Sequence, residues 1–369
     1  MDASFSPVQA HNQIEWDVLI ENIRSGKTIL FLGSELFNQG DKRLDEQLAD
    51  VIGIENNANI QAYPDGLYHF RGNSDFLSYS HIKKYYKRDF PDLSASLNQL
   101  ARIKFKIILS NTPDHQMVRA FKRQNLPHNF YFYYKRQPSP EIELPSADKP
   151  ILYNLVGDIN VRESMVLTYD DLYDYFESVI EHRSIPEILK EQIRDAYNYI
   201  FIGMPFERWH MQLLLRVFRQ HVNKSALKYA ANHCFDTKIQ TFCQDQFNIT
   251  CVPTNIKSFV DELFSRCEAA NLVKALPNAP PQYFADKCAE LVKADKLQEV
   301  ITELSDHFES KHPSESDAIA YIFAQSGRLS GLDRKVGKNL ISEAEALLER
   351  AKIREATLSF LRDYKSLLI

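Results

Sequence analysis

Four short apolar runs in this chain end in residues that hold phosphates or move protons in many proteins. Thr28–Leu32 runs into Gly33 and Ser34, and Phe105–Leu109 runs into Ser110, Asn111, Thr112, Pro113, Asp114 and His115. Ile151–Val156 reaches Gly157 and Asp158, and Tyr199–Ile202 reaches Gly203. A glycine at the carboxyl end of a buried strand permits a tight turn, or the close approach of a phosphate to backbone N–H groups. Asn111 carries a hydrogen-bond donor and an acceptor.

Other stretches that imitate functional motifs carry less. Ser25-Gly26-Lys27-Thr28 looks like the end of a P-loop, but the earlier glycine that loop needs is Glu21. The pattern also runs from helix into strand, the reverse of a P-loop. Lys83-Lys84-Tyr85-Tyr86-Lys87-Arg88 mixes basic and aromatic residues in the manner of single-strand nucleic-acid binders. In a chain of net charge −5 it reads instead as an amphipathic helix with a solvated basic face. No nucleic-acid partner is expected. Cys234, Cys243, Cys251, Cys267 and Cys288 contain no C-x-x-C pair. They read as buried thiols in a reducing cytoplasm, with no disulfide and no metal site expected.

The elements that position these turns follow from periodicity. Trp16, Val18, Leu19, Ile20 and Ile23 predict a helix that feeds the first strand, whose unbroken apolar run implies burial on both faces. Asp41 to Gly53 predicts a surface helix with Leu44, Leu48, Val51 and Ile52 facing inward, and Ala62 to Asp75 reads as an irregular loop or lid. Pro113 stops the second strand, and Asp114 can cap a helix beginning near His115. Asn129 to Lys135 is strand-like, Pro138 to Pro150 is a proline-rich connection, and Thr168 and Asp171 are spaced as a capping box. A helix follows from Arg208 to His221, and further strand-like pieces lie at Leu227 to Asn232 and Ile249 to Val252. Strands alternating with helices predict an α/β domain with a doubly wound, mostly parallel sheet, whose ligands sit at the strands' carboxyl ends.

Composition adds a second domain. The chain has 369 residues and 42.8 kDa, with ordinary hydrophobic and charged fractions, which allows two domains. Residues 1–15 are a polar tail, 16–274 the sheet domain, and 275–283 a linker containing Pro277, Pro280 and Pro281. Residues 284–369 are all-helical, with Leu297, Val300, Ile301 and Leu304, and later Ala344, Leu347, Leu348 and Ala351, at helical spacing. No apolar run approaches the roughly 18 residues of a membrane span, and no secretory signal opens the chain. A cytoplasmic location is expected.

Taken in order, these segments make residues 15 to 265 resemble the bacterial SIR2-like family, sirtuin-related NAD-binding domains common in antiphage defence. The family's Gly-Ala-Gly-x-Ser loop corresponds to Gly33-Ser34-Glu35-Leu36-Phe37, and its Thr-Thr-Asn-x-Asp segment to Leu109-Ser110-Asn111-Thr112-Pro113-Asp114, with one extra residue. Its Leu-His-Gly segment corresponds to Leu155-Val156-Gly157, and Ile-Gly-Tyr-Ser-x-x-Asp is similar to Ile202-Gly203-Met204-Pro205-Phe206-Glu207. The resemblance implies a Rossmann-like, SIR2-like sheet. NAD or ADP-ribose, if either is held, would lie against Gly33, Ser34, Ser110, Asn111, Asp114, Gly157 and Gly203. It also implies a helical module that recruits protein partners by like-with-like association, as effector-associated and death-like domains do, and hence a homo-oligomer.

The departures point away from catalysis. Active members use the Asn and the His to break the bond between nicotinamide and ribose. Asn111 is retained as the one catalytic candidate, but the histidine position is Val156, which can neither accept nor donate a proton. General-base help is typically worth about two to four orders of magnitude in rate. Glu35 brings a carboxylate beside the expected pyrophosphate, and Phe37 removes a hydrogen-bonding group. His115, His210 and His69 are the substitutes available. The expectation is therefore a non-catalytic scaffold or nucleotide sensor of a defence or signalling system. The alternative is an NAD hydrolase that works through Asn111 and an unconventional base. Protein deacylation ranks last, because the paired cysteines of the zinc module in classical sirtuins are missing.

Overall fold

The computed structural model describes residues 14–72, 74–135, 141–180, 185–218, 225–232, 236–276, 284–312, 314–337, 340–364 and 367. The tail before residue 14, Pro138, His221, Cys234 and the linker prolines lie outside the described residues. By its contacts the chain divides into two compact units, residues 1–277 and 278–369.

In the first unit, α1 (Trp16–Arg24) leads into β1 (Thr28–Leu32), and α2 (Leu44–Ile52) is followed by the short strands β2 (Ile60–Ala62) and β3 (Tyr68–Phe70). Next come α3 (Ser74–Lys87), α4 (Pro91–Arg102), β4 (Ile107–Ser110), α5 (Gln116–Arg123), β5 (Asn129–Phe132) and β6 (Ile151–Asn154). The remainder is α6 (Tyr169–Ile180), α7 (Glu187–Arg194), β7 (Asn198–Ile202), α8 (Trp209–Phe218), β8 (Leu227–Ala231), α9 (Thr237–Phe247), β9 (Thr250–Cys251) and α10 (Ile256–Ala269).

Seven strands form one all-parallel sheet in the order β5-β6-β4-β1-β7-β8-β9. Every residue of β1 is buried, which explains its lack of alternation. Leu30 and Leu32 enter a core shared with α1 to α5 and α10, while Ile29 and Phe31 enter a second core with α6 to α9. The result is a doubly wound α/β sandwich. Register sets the rim: Leu32 pairs with Ser110 on one side and Ile202 on the other, and Ser110 pairs with Asn154. The four strand-ending turns therefore meet at one edge, where the order of strand addition switches from one side of β1 to the other.

Local signals explain the helix ends. Asp114 accepts from the Gln116 N–H at 2.6 Å and so caps α5, and the Thr168 and Asp171 side chains accept reciprocally from each other's N–H at the start of α6. Tyr85 and Tyr86 of the basic–aromatic run are buried in the core, so they offer no stacking platform for bases. The stretch read as an irregular loop, Ala62 to Asp75, holds β3 and the last residue of β2, which pair as an antiparallel hairpin. Strands of three residues are too short to reveal a period of two.

The second unit holds α11 (Phe284–Lys293), α12 (Leu297–Lys311), α13 (Ser316–Gly337) and α14 (Glu343–Asp363). Cys288, Val292, Leu297, Val300, Ile301, Leu304 and Phe308 make its core. A capping box between Ser342 and Glu345 starts α14. The stripe Ala344, Leu347, Leu348, Ala351 is helical as its spacing predicts, but it faces outward. Leu347 and Leu348 are 64% and 58% exposed, while Ala346, Ile353, Phe360 and Leu361 supply the buried side. Cys243, Cys251, Cys267 and Cys288 are buried free thiols.

Candidate functional site

A cleft of about 150 Å3 opens where the carboxyl ends of β1, β4, β6 and β7 meet. Ser34 and Glu35 line it after β1, Asn111 after β4, Val156 after β6, and Glu207, Arg208 and His210 after β7. Leu172, Tyr175 and Phe176 of α6 make part of its apolar wall. Its volume lies below the roughly 300–1,000 Å3 usual for small-molecule sites.

Gly33, Gly157 and Gly203 are not among the residues lining this cleft, and next to it backbone meets backbone. Gly33 donates its N–H to the Ile202 carbonyl at 2.9 Å, and Glu35 donates to the Gly203 carbonyl at 2.9 Å. A Cβ on Gly33 would lie 2.2 Å from the Gly203 oxygen, and Gly203 itself has φ of +68°. These two glycines therefore join the loop after β1 to the loop after β7, and they engage two amides that a phosphate would otherwise seek. Gly157 makes a similar approach, with a Cβ there 2.2 Å from the Ser164 carbonyl oxygen.

Asn111 extends the ladder, its N–H donated to Leu32 at 2.8 Å, and its side chain lines the cleft. Ser110 and Asp114 line a separate cavity of about 20 Å3 together with core residues such as Leu32 and Phe37. The Asp114 carboxylate accepts from Thr112 Oγ1 at 2.5 Å, and burial raises its pKa despite that bond. Phe37 is buried against Tyr86 and Phe90, with ring centroids 5.4 and 5.2 Å away. It packs in the core.

The histidines differ sharply. His115 Nε2 lies 2.9 Å from Asp158 Oδ2, and His115 is not among the residues around the cleft. His69 is exposed on β3. His210 does line the cleft, and burial lowers its pKa to about 4, so it is neutral at pH 7. Asn111, Val156 and His210 are all among the residues that line the cleft.

Charge around the opening is acidic and largely paired. Glu35, Asp45, Asp65 and Glu207 face it, against two guanidiniums, Arg43 and Arg208. Arg208 pairs with Asp45 at 2.9 Å, Arg43 with Glu207 at 3.1 Å, and Arg208 also donates to the Pro64 carbonyl. Asp65, in the turn between β2 and β3, accepts from Tyr169 Oη at 2.5 Å and Trp209 Nε1 at 2.9 Å. Burial works to raise its pKa, but those donors together hold it below the usual carboxylate range. Sequence reading missed Arg43, Asp45, Asp65, Arg208 and Trp209. Pro64-Asp65-Gly66 between two aromatic stretches is a turn signature that could have exposed the hairpin.

Against this geometry, residues 113–249 match the family model of the SIR2-like domain, and residues 283–364 match effector-associated domain 11. These two stretches are thus similar to a SIR2-like domain and to an effector-associated domain, in that order along the chain. The first match begins beyond Asn111, leaving β1 and its loop outside it. Among solved structures, a Sir2 complex with p53 peptide and NAD+ is similar at 13% identity and a TM-score of 0.33, covering 70% of this chain and 99% of that one. A Sir2 variant with deacetylated p53 peptide and 3′-O-acetyl ADP-ribose gives 12% and 0.35, covering 71% and 100%. No curated protein matches. Among the described residues no helix is long and apolar enough to cross a membrane, and no cluster of His, Cys, Asp or Glu could hold a metal ion.

Proposed function

We propose that this chain is a non-catalytic SIR2-like protein of a defence or signalling system. Its sheet domain acts as an assembly or nucleotide-sensing scaffold, and its helical domain recruits protein partners. The observation that carries this reading is Val156, an apolar side chain in the cleft where the resemblance expects the histidine. The acidic rim and the engaged amides of Gly33 and Glu35 support it, since both disfavour a pyrophosphate. Exposed Leu347 and Leu348 on α14 supply apolar surface for a partner, including a second copy of this chain.

The test is calorimetric titration with NAD and ADP-ribose, followed by a nicotinamide-release assay on the same sample. Binding without release is the expected result for a sensor, and neither binding nor release is expected for a pure scaffold. Nicotinamide release by the wild-type protein would sink the proposal. It would favour the second reading, an NAD hydrolase, for which the presence of Asn111 and His210 in one cleft is the supporting observation. A base of pKa about 4 is weak at pH 7, which ranks that reading lower.

A further inference from the structure

We propose that the β2–β3 hairpin is a gate over the cleft, bolted by Asp65, and that a nucleotide enters only when the bolt opens. This rests on the reading of the cleft as a nucleotide-sensing site. The hairpin pairs only three residues with three, Ile60 with Phe70 through Ala62 with Tyr68. A two-stranded hairpin of that size is marginal by itself in water. Its tip is held by side chains from elsewhere. Tyr169 at the start of α6 and Trp209 at the start of α8 both donate to the same Asp65 oxygen, and Arg208 reaches the Pro64 carbonyl. Tyr63 packs edge-on against the Tyr169 ring at 4.9 Å.

Two observations tie this tip to ligand entry. Asp65, Gly66 and Leu67 line the cleft directly, so moving the tip enlarges the space that is now about 150 Å3. Behind it, the Tyr175 hydroxyl is buried with no hydrogen-bond partner among the described residues, and Tyr175 is part of the cleft wall. A buried hydroxyl without a partner is the exception in proteins, and it marks a donor available to an incoming acceptor. Because the bolt is a set of charge-assisted bonds at a single carboxylate, it opens as a unit.

The experiment compares the full wild-type chain with Asp65→Ala and the milder Tyr169→Phe. Amide hydrogen exchange over residues 60–70 and Trp209 emission read the hairpin, while titration with ADP-ribose reads the cleft. Trp16, stacked on Phe259 and under Arg266, gives a constant fluorescence background. Both variants are expected to exchange faster, roughly ten- to a hundredfold in Asp65→Ala, with red-shifted Trp209 emission. ADP-ribose should bind about tenfold more tightly to Asp65→Ala than to wild type, as removal of a closed state requires. Unchanged exchange overturns the bolt, and a freed hairpin with no gain in affinity overturns the gate. Wild-type binding in those cases leaves the sensing reading standing, so the two failures are separable.

Discussion

Gly33 and Gly203 approach so closely that a single methyl group on Gly33 would sit 2.2 Å from the Gly203 carbonyl oxygen. Neither partner is a flexible side chain that could swing away. Gly33→Ala is therefore expected to lower unfolding free energy by about 3 kcal/mol, the upper part of the usual overpacking range. Urea denaturation checks this, with the midpoint falling and the slope unchanged. A loss below about 1 kcal/mol would mean that the two loops separate easily.

Val156→His restores the ring but leaves Glu35 at the mouth and the loop amides engaged. We expect no nicotinamide release above background from this single variant. Release would mean that the phosphate end of the cleft still holds NAD. The chain would then be a lapsed enzyme one residue from activity.

His210 makes stability depend on acid. Its ordinary pKa of 6.5 falls to about 4 in the folded protein, chiefly through burial, with Asp65 opposing and Arg208 assisting. Between those values the unfolded chain binds a proton that the folded chain does not. Stability is therefore lost as pH falls from about 6.5 to about 4, by roughly 2–3 kcal/mol. His210→Gln should remove this part of the slope in melts taken across the window.

Lys274 produces the opposite end of the profile. It is buried, its amine has no hydrogen-bond partner among the described residues, and it lies 4.7 Å from the Phe121 ring centre. Burial lowers its pKa from 10.5 to about 8, with Asp148 opposing. The folded chain gives up this proton first, so stability should rise between about pH 8 and about pH 10.5. Lys274→Met should raise stability at pH 7 by about 1–3 kcal/mol and flatten that rise in chemical denaturation.

The leucines of α14 separate recruitment from folding. Leu347→Glu with Leu348→Glu changes two exposed side chains and should leave stability within about 0.5 kcal/mol. If this stripe mates with a second copy, the mass measured by light scattering should fall to that of one chain. An unchanged oligomeric mass would rule the stripe out as the self-association surface.

How far sequence alone reached follows from where each signal resides. The runs around Leu30, Ile108, Leu152 and Ile200 are short but nearly all apolar and each ends in polar residues or glycine, so the parallel sheet and its rim were legible. Asp114 and Thr168 announced helix starts because capping is local chemistry. Trp209 and Asp65 were not legible as partners, because 144 positions separate them and only the folded rim brings them together. Asp114 was assigned to the cleft and instead lines a small interior cavity, and no periodicity reports on which side of a turn a carboxylate falls. Leu347 and Leu348 matched helical spacing equally well for a core face or an outer one. Spacing fixes a stripe, not what covers it.

Phe37 bears on the history of the cleft. The family's loop has a serine there, whereas here a ring wedges between Tyr86 and Phe90 inside the core. Returning that position to serine would empty a space sized for an aromatic ring, at about 3–5 kcal/mol. A domain stable by only about 5–15 kcal/mol has little room for such a step. A variant with serine at this position would need a compensating change among Tyr86, Phe90 and their neighbours to refill the space.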